Sequence, residues 1–220
     1  MGAVENPEAV FLAKMTASAT HELRNVLAVV KESAGLVEDL MLVSQQQKPV
    51  NPEKLARAAQ RIDAQVERAA ELLTNLNRLA HGLDHAEEAL ALGQHARQVT
   101  LLCQRFARQR RSRIEVAAGS DDRSIRANGL RLHMAIAAAI DCCLEQLPEE
   151  SAIDIRIAGT DTQPQITISG TTAGQAAPSP AGAVSWSRLA GLAAHVGASV
   201  ETMEGPFAFR LVFGEGRAGP

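Results

Sequence analysis

The sequence predicts an α+β protein, in which a long helical hairpin precedes a two-layer α/β sandwich. In the first part, apolar residues recur at intervals of three and four, the spacing of helices that pack into a bundle. In the second part, helical segments alternate with short strands of alternating polarity. We place the boundary between a first domain at residues 1–86 and a second at residues 87–220, a total length sufficient for two domains.

The first helix begins at Asn6-Pro7-Glu8. Asparagine is a favoured N-cap, proline fits the first helical position, and a glutamate in the first turn complements the helix dipole. The periodic pattern continues to about Gln46. Its apolar seam, which needs a packing partner in water, consists of Leu12, Ala19, Leu23, Val26, Val30, Val37 and Leu40.

The second helix begins with the same Asn-Pro-Glu sequence. The segment 48–53 breaks the first helix and ends in Asn51-Pro52-Glu53, which starts the next. Two helices joined by a short loop form an antiparallel hairpin, and one hairpin leaves half of its seam in water. We therefore expect a homodimer in which two hairpins form a four-helix bundle. The seam of the second helix consists of Leu55, Ala59, Ile62, Val66, Ala69, Leu73, Leu76 and Ala80.

The second part predicts a mixed sheet covered by helices. Its strand predictions rest on alternation such as that of Ile153, Ile155 and Ile157. The predicted elements are a helix at 88–110, a strand at 113–118, a helix at 129–146, strands at 153–158 and 165–169, a helix at 184–195, and strands at 198–203 and 207–213.

Composition limits the partners and the compartment. A formal net charge of −3 does not call for nucleic acid or a membrane as partner, and no run of 18 apolar residues could span a bilayer. Three cysteines do not make a disulfide framework, so we expect a reducing cytoplasm. A basic run is read as a helix end followed by a strand rather than a nucleic-acid site. It comprises Arg105, Arg108, Arg110, Arg111 and Arg113.

A metal site is not expected. His81 and His85 are four residues apart, but Gly82 lies between them and no third ligand is evident. We read this segment as a solvated junction between the two domains.

The candidate reactive group is His21. At about 100° per residue it lies roughly 200° from both Ala19 and Leu23, so its ring points away from the seam. Asn25 follows one turn later and shares that outer face. An exposed helical histidine with no role is one reading. A carboxylate next to it at Glu22 and a carboxamide one turn on favour chemistry instead.

The pentapeptide His21-Glu22-Leu23-Arg24-Asn25 resembles the phosphoacceptor box of bacterial sensor histidine kinases. The two helices resemble the dimerisation and phosphotransfer domain of that family, and the second part has the element order of its ATP-binding domain. The resemblance covers nearly the whole chain. It is closest to the dimeric histidine phosphotransferases, whose ATP-binding domain is degenerate.

The ATP-binding motifs of that family are missing. Ala138 and Cys142 stand where the family places magnesium-binding asparagines. The segment 170–174 lacks the aspartate of Asp-x-Gly-x-Gly, and the segment 175–180 replaces the Gly-rich lid. We therefore expect no ATP-dependent autophosphorylation and no cofactor, with any Mg²⁺ supplied by a partner receiver domain.

The resemblance implies that His21 takes a phosphoryl group from a phospho-aspartate and passes it to another aspartate. Glu22 would orient the ring or accept its proton, and Arg24 would screen phosphate charge. Asn25 resembles the residue that orients a water in phosphatase-competent kinases. The partners would be response-regulator receiver domains and a hybrid histidine kinase. A regulator phosphatase that uses Asn25 and a non-catalytic pseudokinase scaffold remain the alternatives, and the direction of phosphoryl flow stays open.

Overall fold

The structure is a computed structural model that describes residues 6–45, 51–82, 87–117, 123–172, 179–204 and 207–214. The described residues form five α-helices and seven strands, which makes the protein α+β. The helices are α1 (Pro7–Gln45), α2 (Pro52–His81), α3 (Leu92–Gln109), α4 (Gly129–Gln146) and α5 (Trp186–Ala194). The strands are β1 (Glu88–Ala91), β2 (Arg113–Val116), β3 (Ser124–Ala127), β4 (Ala152–Gly159), β5 (Pro164–Thr171), β6 (Ala198–Thr202) and β7 (Ala208–Phe213).

Both long helices begin as the sequence predicts. The side-chain oxygen of Asn6 accepts a hydrogen bond from the backbone N–H of Glu8 at 3.0 Å. Asn51 caps α2 in the same way, through the N–H of Glu53 at 2.9 Å. Each cap satisfies an amide that has no partner within the helix. The predicted end of α1 at Gln46 lies just outside the described residues.

The chain divides into two compact units, of which one is the helical hairpin Lys14–Asn77. Two of the seam residues predicted for α1, Ala19 and Val26, are buried in this unit. The seam predicted for α2 is not the face of this helix that is buried within one chain, since Val66 and Leu73 are 54% and 52% exposed, and its burial in a dimer stays a prediction. Each helix carries two apolar faces, and spacing alone does not say which of them meets the other helix. The buried residues of α2 in this unit are Ala58, Leu72 and Asn75.

The second unit combines Met1–Ala13 with Arg78–Pro220. Its main sheet has five strands in the order β2-β4-β5-β7-β6, and β1 pairs with β3 in a separate two-stranded sheet. The β2–β4 pair is parallel and the other pairs of the main sheet are antiparallel, so the sheet is mixed. Helix α4 is almost entirely buried and contributes much of the core.

The predicted helix at 88–110 begins too early. Residues Glu88–Ala91 form strand β1, and α3 begins only at Leu92. The sequence Glu-Ala-Leu-Ala favours a helix locally, but pairing with β3 overrides that preference. Strand β3 itself was not predicted. The predicted helix at 129–146 matches α4 residue for residue.

Several predictions fall at residues that are not described. The predicted domain boundary adjoins 83–86, which also contain His85, and most of the loop 175–180 and Ala118 are likewise outside the described residues. Among the residues that are described, no helix has both the length and the apolar content needed to cross a bilayer.

Candidate functional site

His21 lies on the exposed side of α1, with 49% of its side chain accessible. Its neighbours on that face, Ala17, Asn25 and Ala28, are also exposed. The adjacent, buried face of the helix, roughly 60–140° around the axis from His21, carries Ser18, Glu22 and Val26. The imidazole therefore stands on a rigid helical support and faces solvent.

The contacts of the His21 ring gather at one nitrogen. The side-chain amide nitrogen of Asn25 lies 3.3 Å from Nδ1. Oε1 of Glu22 lies 4.0 Å from the same nitrogen. Nε2 is on the other side of the five-membered ring, so these two neighbours leave its approach unobstructed.

The tautomer of His21 decides which nitrogen can attack. If the Asn25 amide N–H donates to Nδ1, the proton of the neutral ring sits on Nε2, which is then not nucleophilic. A turn of about 180° about the end of the asparagine side chain exchanges its oxygen and nitrogen. The oxygen of Asn25 then accepts Nδ1–H, and Nε2 keeps a free lone pair.

Glu22 is held from across the hairpin. Its side chain is only 4% exposed, and Oε2 accepts a hydrogen bond from Nη2 of Arg68 on α2 at 3.2 Å. Sequence reasoning assigned Glu22 to the site but missed Arg68. The available signal was that Glu22 lies four residues from Val26 on the seam side of α1, where a carboxylate needs a cation.

Arg24, the fourth predicted site residue, is exposed on α1 three residues after His21. The structure thus brings His21, Glu22 and Asn25 together around one imidazole nitrogen and adds Arg68 behind them.

The two α4 positions predicted to replace magnesium ligands are buried. Ala138 is 2% exposed and Cys142 is fully covered. Burial raises the pKa of the Cys142 thiol to about 11. Its sulfur also accepts a hydrogen bond from the hydroxyl of Ser185 at 3.0 Å. A neutral, hydrogen-bonded thiol is a poor ligand for a hard cation such as Mg²⁺.

The end of β5 is also filled by apolar atoms. The side chain of Leu147 packs so closely on Gly170 that a Cβ at this position would collide with it. Gly170 begins the segment that lacks the aspartate of Asp-x-Gly-x-Gly, and the Leu147 side chain covers this glycine. Among the described residues, no group of three or more His, Cys, Asp or Glu side chains is placed to hold a metal ion.

Comparisons with known proteins give fold neighbours only. No known protein family matches the sequence, and no curated protein matches it. The catalytic domain of histidine kinase ThkA aligns with 13% identity and a TM-score of 0.49, covering 60% of this chain and 98% of that one. Histidine kinase AdeS of Acinetobacter baumannii aligns with 11% identity and a TM-score of 0.45, covering 90% and 98%. The cytoplasmic segment of histidine kinase QseC aligns with 16% identity and a TM-score of 0.45, covering 69% and 95%. At this level of similarity they carry no inference about activity.

Proposed function

We propose that this protein is a histidine phosphotransferase, which relays a phosphoryl group between aspartates of response-regulator receiver domains through His21. The observation that carries the proposal is the exposed imidazole of His21, whose Nδ1 is engaged by Asn25 and bordered by Glu22. This arrangement presents Nε2 to an approaching protein. The resemblance of the pentapeptide around His21 to a phosphoacceptor box supports the same assignment.

The transfer is a displacement at phosphorus. The lone pair of Nε2 attacks the phosphorus of a phospho-aspartate, an N–P bond forms, the bond from phosphorus to the carboxylate oxygen breaks, and the aspartate leaves as a carboxylate. The ring keeps its proton on Nδ1 and becomes positively charged, which the nearby Glu22 carboxylate stabilises. In the second transfer step, the carboxylate of an aspartate in another receiver attacks the same phosphorus. The N–P bond breaks and its electrons return to Nε2.

ATP is not the phosphoryl donor in this proposal. Phosphoryl transfer from ATP depends on metal ions that bridge and neutralise the phosphates. Ala138 and Cys142 offer no oxygen ligand at the positions expected to supply it, and both are buried. The Mg²⁺ required by an acyl phosphate would come with the receiver domain, whose aspartate carries the phosphoryl group.

A homodimer is part of the proposal. Within one chain, Leu55, Val66 and Leu73 of α2 remain 38–54% exposed. With the half-buried Ile62 they are spaced by seven, four and seven residues, which is the repeat of a coiled-coil seam. Leu27 and Met41 of α1 are exposed as well. A second copy of the hairpin would cover these side chains and close a four-helix bundle.

The direct test follows label from a phosphorylated receiver. Receivers of the host are phosphorylated with radiolabelled phosphate and mixed with the purified protein, and the protein is checked for acid-labile, base-stable label of the phosphohistidine type. Label should appear on the wild type and be absent from the His21→Ala variant. If no receiver of the host transfers label to the wild-type protein, the phosphotransferase is refuted.

A second function is favoured by one observation, the approach of Asn25 to the ring of His21. An exposed carboxamide at that position could orient a water for attack on the phospho-aspartate of a receiver. The protein would then be a response-regulator phosphatase. The same mixture distinguishes this case, because phosphate would leave the receiver while no label accumulates on the protein.

A further inference from the structure

Charged pairs link α1 to α2 at two levels of the hairpin. Glu22 pairs with Arg68 at 3.2 Å, and Glu32 pairs with Arg61 at 3.4 Å. In both cases a carboxylate of α1 meets an arginine of α2. The two pairs differ in burial and in distance along the chain from His21.

The pair at Glu32 is exposed, with 68% of the Glu32 side chain and 52% of the Arg61 side chain accessible. Such surface pairs add little stability and are screened by salt. The Glu22 side chain, in contrast, is only 4% exposed. A carboxylate in that environment keeps its charge only if a cation and hydrogen bonds replace the lost water. Arg68 supplies the cation and one of these hydrogen bonds, at 3.2 Å.

The Glu22 carboxylate lies beside the nitrogen that decides the tautomer of His21. Arg68 holds Oε2, while Oε1 is 4.0 Å from Nδ1 of His21. Negative charge on this side of the ring favours the proton on Nδ1 and leaves the lone pair on Nε2. The Asn25 carboxamide can turn either end to the ring and so accommodates both tautomers. The tautomer is therefore decided by Glu22.

We propose that Arg68 is a positioning residue for His21. By holding Glu22 as a fixed carboxylate 4.0 Å from Nδ1, Arg68 keeps the proton of His21 on Nδ1 and makes Nε2 the nucleophile. This inference rests on the proposed phosphoryl acceptance by His21. It adds a residue of the second helix, 47 positions away in the sequence, to the machinery of the first.

The test uses two readouts on the full-length protein. Nitrogen-15 NMR of the imidazole, at a pH where the ring is neutral, measures the fraction of the Nδ1–H tautomer. Stopped incubations with a labelled phospho-receiver measure the rate of acceptance at His21. The variants are Arg68→Leu, Arg68→Lys, the exchange Glu22→Arg with Arg68→Glu, and Arg61→Leu as the matched control from the exposed pair. Circular dichroism and thermal melts identify the variants that fold.

Arg68→Leu should convert His21 largely to the Nε2–H tautomer and slow acceptance by about tenfold or more, since correctly placed proton partners contribute at least that much. Arg68→Lys should keep most of the Nδ1–H tautomer and most of the rate of acceptance, because it keeps a cation beside Glu22. The exchange should restore the ion pair and the melting temperature but neither the tautomer nor the rate, because it places a cation beside Nδ1. Arg61→Leu should change neither readout.

Two results would overturn the role of Arg68. One is a folded Arg68→Leu variant with the wild-type tautomer fraction, and the other is an exchanged pair that restores acceptance together with stability. If Arg68→Leu fails to fold, the exchanged variant carries the test. Loss of the Nδ1–H tautomer and of acceptance in a stable exchanged variant supports the role of Arg68, and recovery of both overturns it. The tautomer measurement needs no phosphoryl donor. A wild type that never accepts label would therefore refute the proposed function, while the tautomer still tests the role of Arg68.

Discussion

Nδ1 of His95 on α3 lies 2.9 Å from Nε2 of His133 on α4, a hydrogen bond between two imidazoles. One ring must donate and the other accept, so the bond exists only while at least one of these nitrogens is unprotonated. His133 is 5% exposed, and burial together with the neighbouring His95 lowers its pKa to about 3. Burial also lowers the pKa of His95, with Glu88 acting in the opposite direction.

This pair predicts acid sensitivity of the α/β unit. The unfolded chain takes up a proton at His133 near its ordinary pKa of 6.5, whereas the folded protein does so only near about 3. The stabilising contribution is therefore complete above pH 6.5 and is lost as the pH falls toward about 3. Between these two values the free energy of unfolding falls by up to about 1.4 kcal/mol for each unit by which the pH is lowered. In urea titrations between pH 6 and about 4, His133→Gln should reduce this dependence of the free energy of unfolding on pH, by the same linkage.

His195→Gln is the matched control for this experiment, since His195 is exposed at the end of α5. It should leave the pH profile of stability unchanged. A His133→Gln variant whose profile follows that of the wild type would show that the fold does not lower the pKa of His133.

Nucleotide should not bind. Because Ala138 and Cys142 are buried and supply no oxygen ligand, Mg²⁺-ATP and Mg²⁺-ADP should show no heat of binding in calorimetry at millimolar concentration. They should also leave the melting temperature unchanged, since a ligand stabilises only the state that binds it. A dissociation constant in the micromolar range would restore an ATP-dependent kinase as the better interpretation.

The exposed stripe of α2 predicts a dimer. Light scattering should give twice the chain mass of 23.4 kDa. Leu73→Glu would place a charge in the bundle and should weaken the dimer by on the order of 3 kcal/mol per protomer, so that the mass falls toward the monomer on dilution. Thr74→Glu adds the same charge one position away, where the side chain is exposed beside the backbone of Ala70, and should leave the mass unchanged. A monomeric wild type would contradict the bundle.

The helices and most strands could be predicted because their determinants are local. Asn6 and Asn51 cap the two long helices through neighbouring amides, and Ile153, Ile155 and Ile157 alternate within one strand. Strand β1 could not be predicted in the same way. Its residues favour a helix, and its state depends on β3, which lies more than 30 residues further along the chain.

The same limit applies to the candidate site. His21, Glu22 and Asn25 come from one helical segment, so spacing places them together. Arg68 approaches from the other helix, and its register depends on which of two apolar faces α2 turns toward α1. The apolar spacing that includes Leu73 marks a different face of α2 from the one that packs against α1 in the same chain. Burial of Ala58 and Leu72 is a property of the packed hairpin, which the period of a single helix does not reveal.

The last prediction separates the relay from its two alternatives. His21→Ala favours the helix and removes no buried group, so thermal stability should change by less than about 1 kcal/mol. In a phosphotransferase this substitution abolishes acceptance of label, because the neighbouring Asn25 is not a nucleophile. Asn25→Ala should leave acceptance largely intact, since transfer between aspartate and histidine uses no water. The measurement is label on the protein and on the receiver over time, with Thr74→Glu as a surface control.

In a phosphatase the pattern reverses. Asn25→Ala would stop loss of phosphate from the receiver, because the attacking water is no longer oriented, while His21→Ala would only weaken it. In a scaffold both variants would bind the regulator as the wild type does, and neither would alter the lifetime of its phosphoryl group. We expect the first pattern, because both Asn25 and Glu22 lie beside Nδ1 of an exposed imidazole and neither of these contacts involves Nε2.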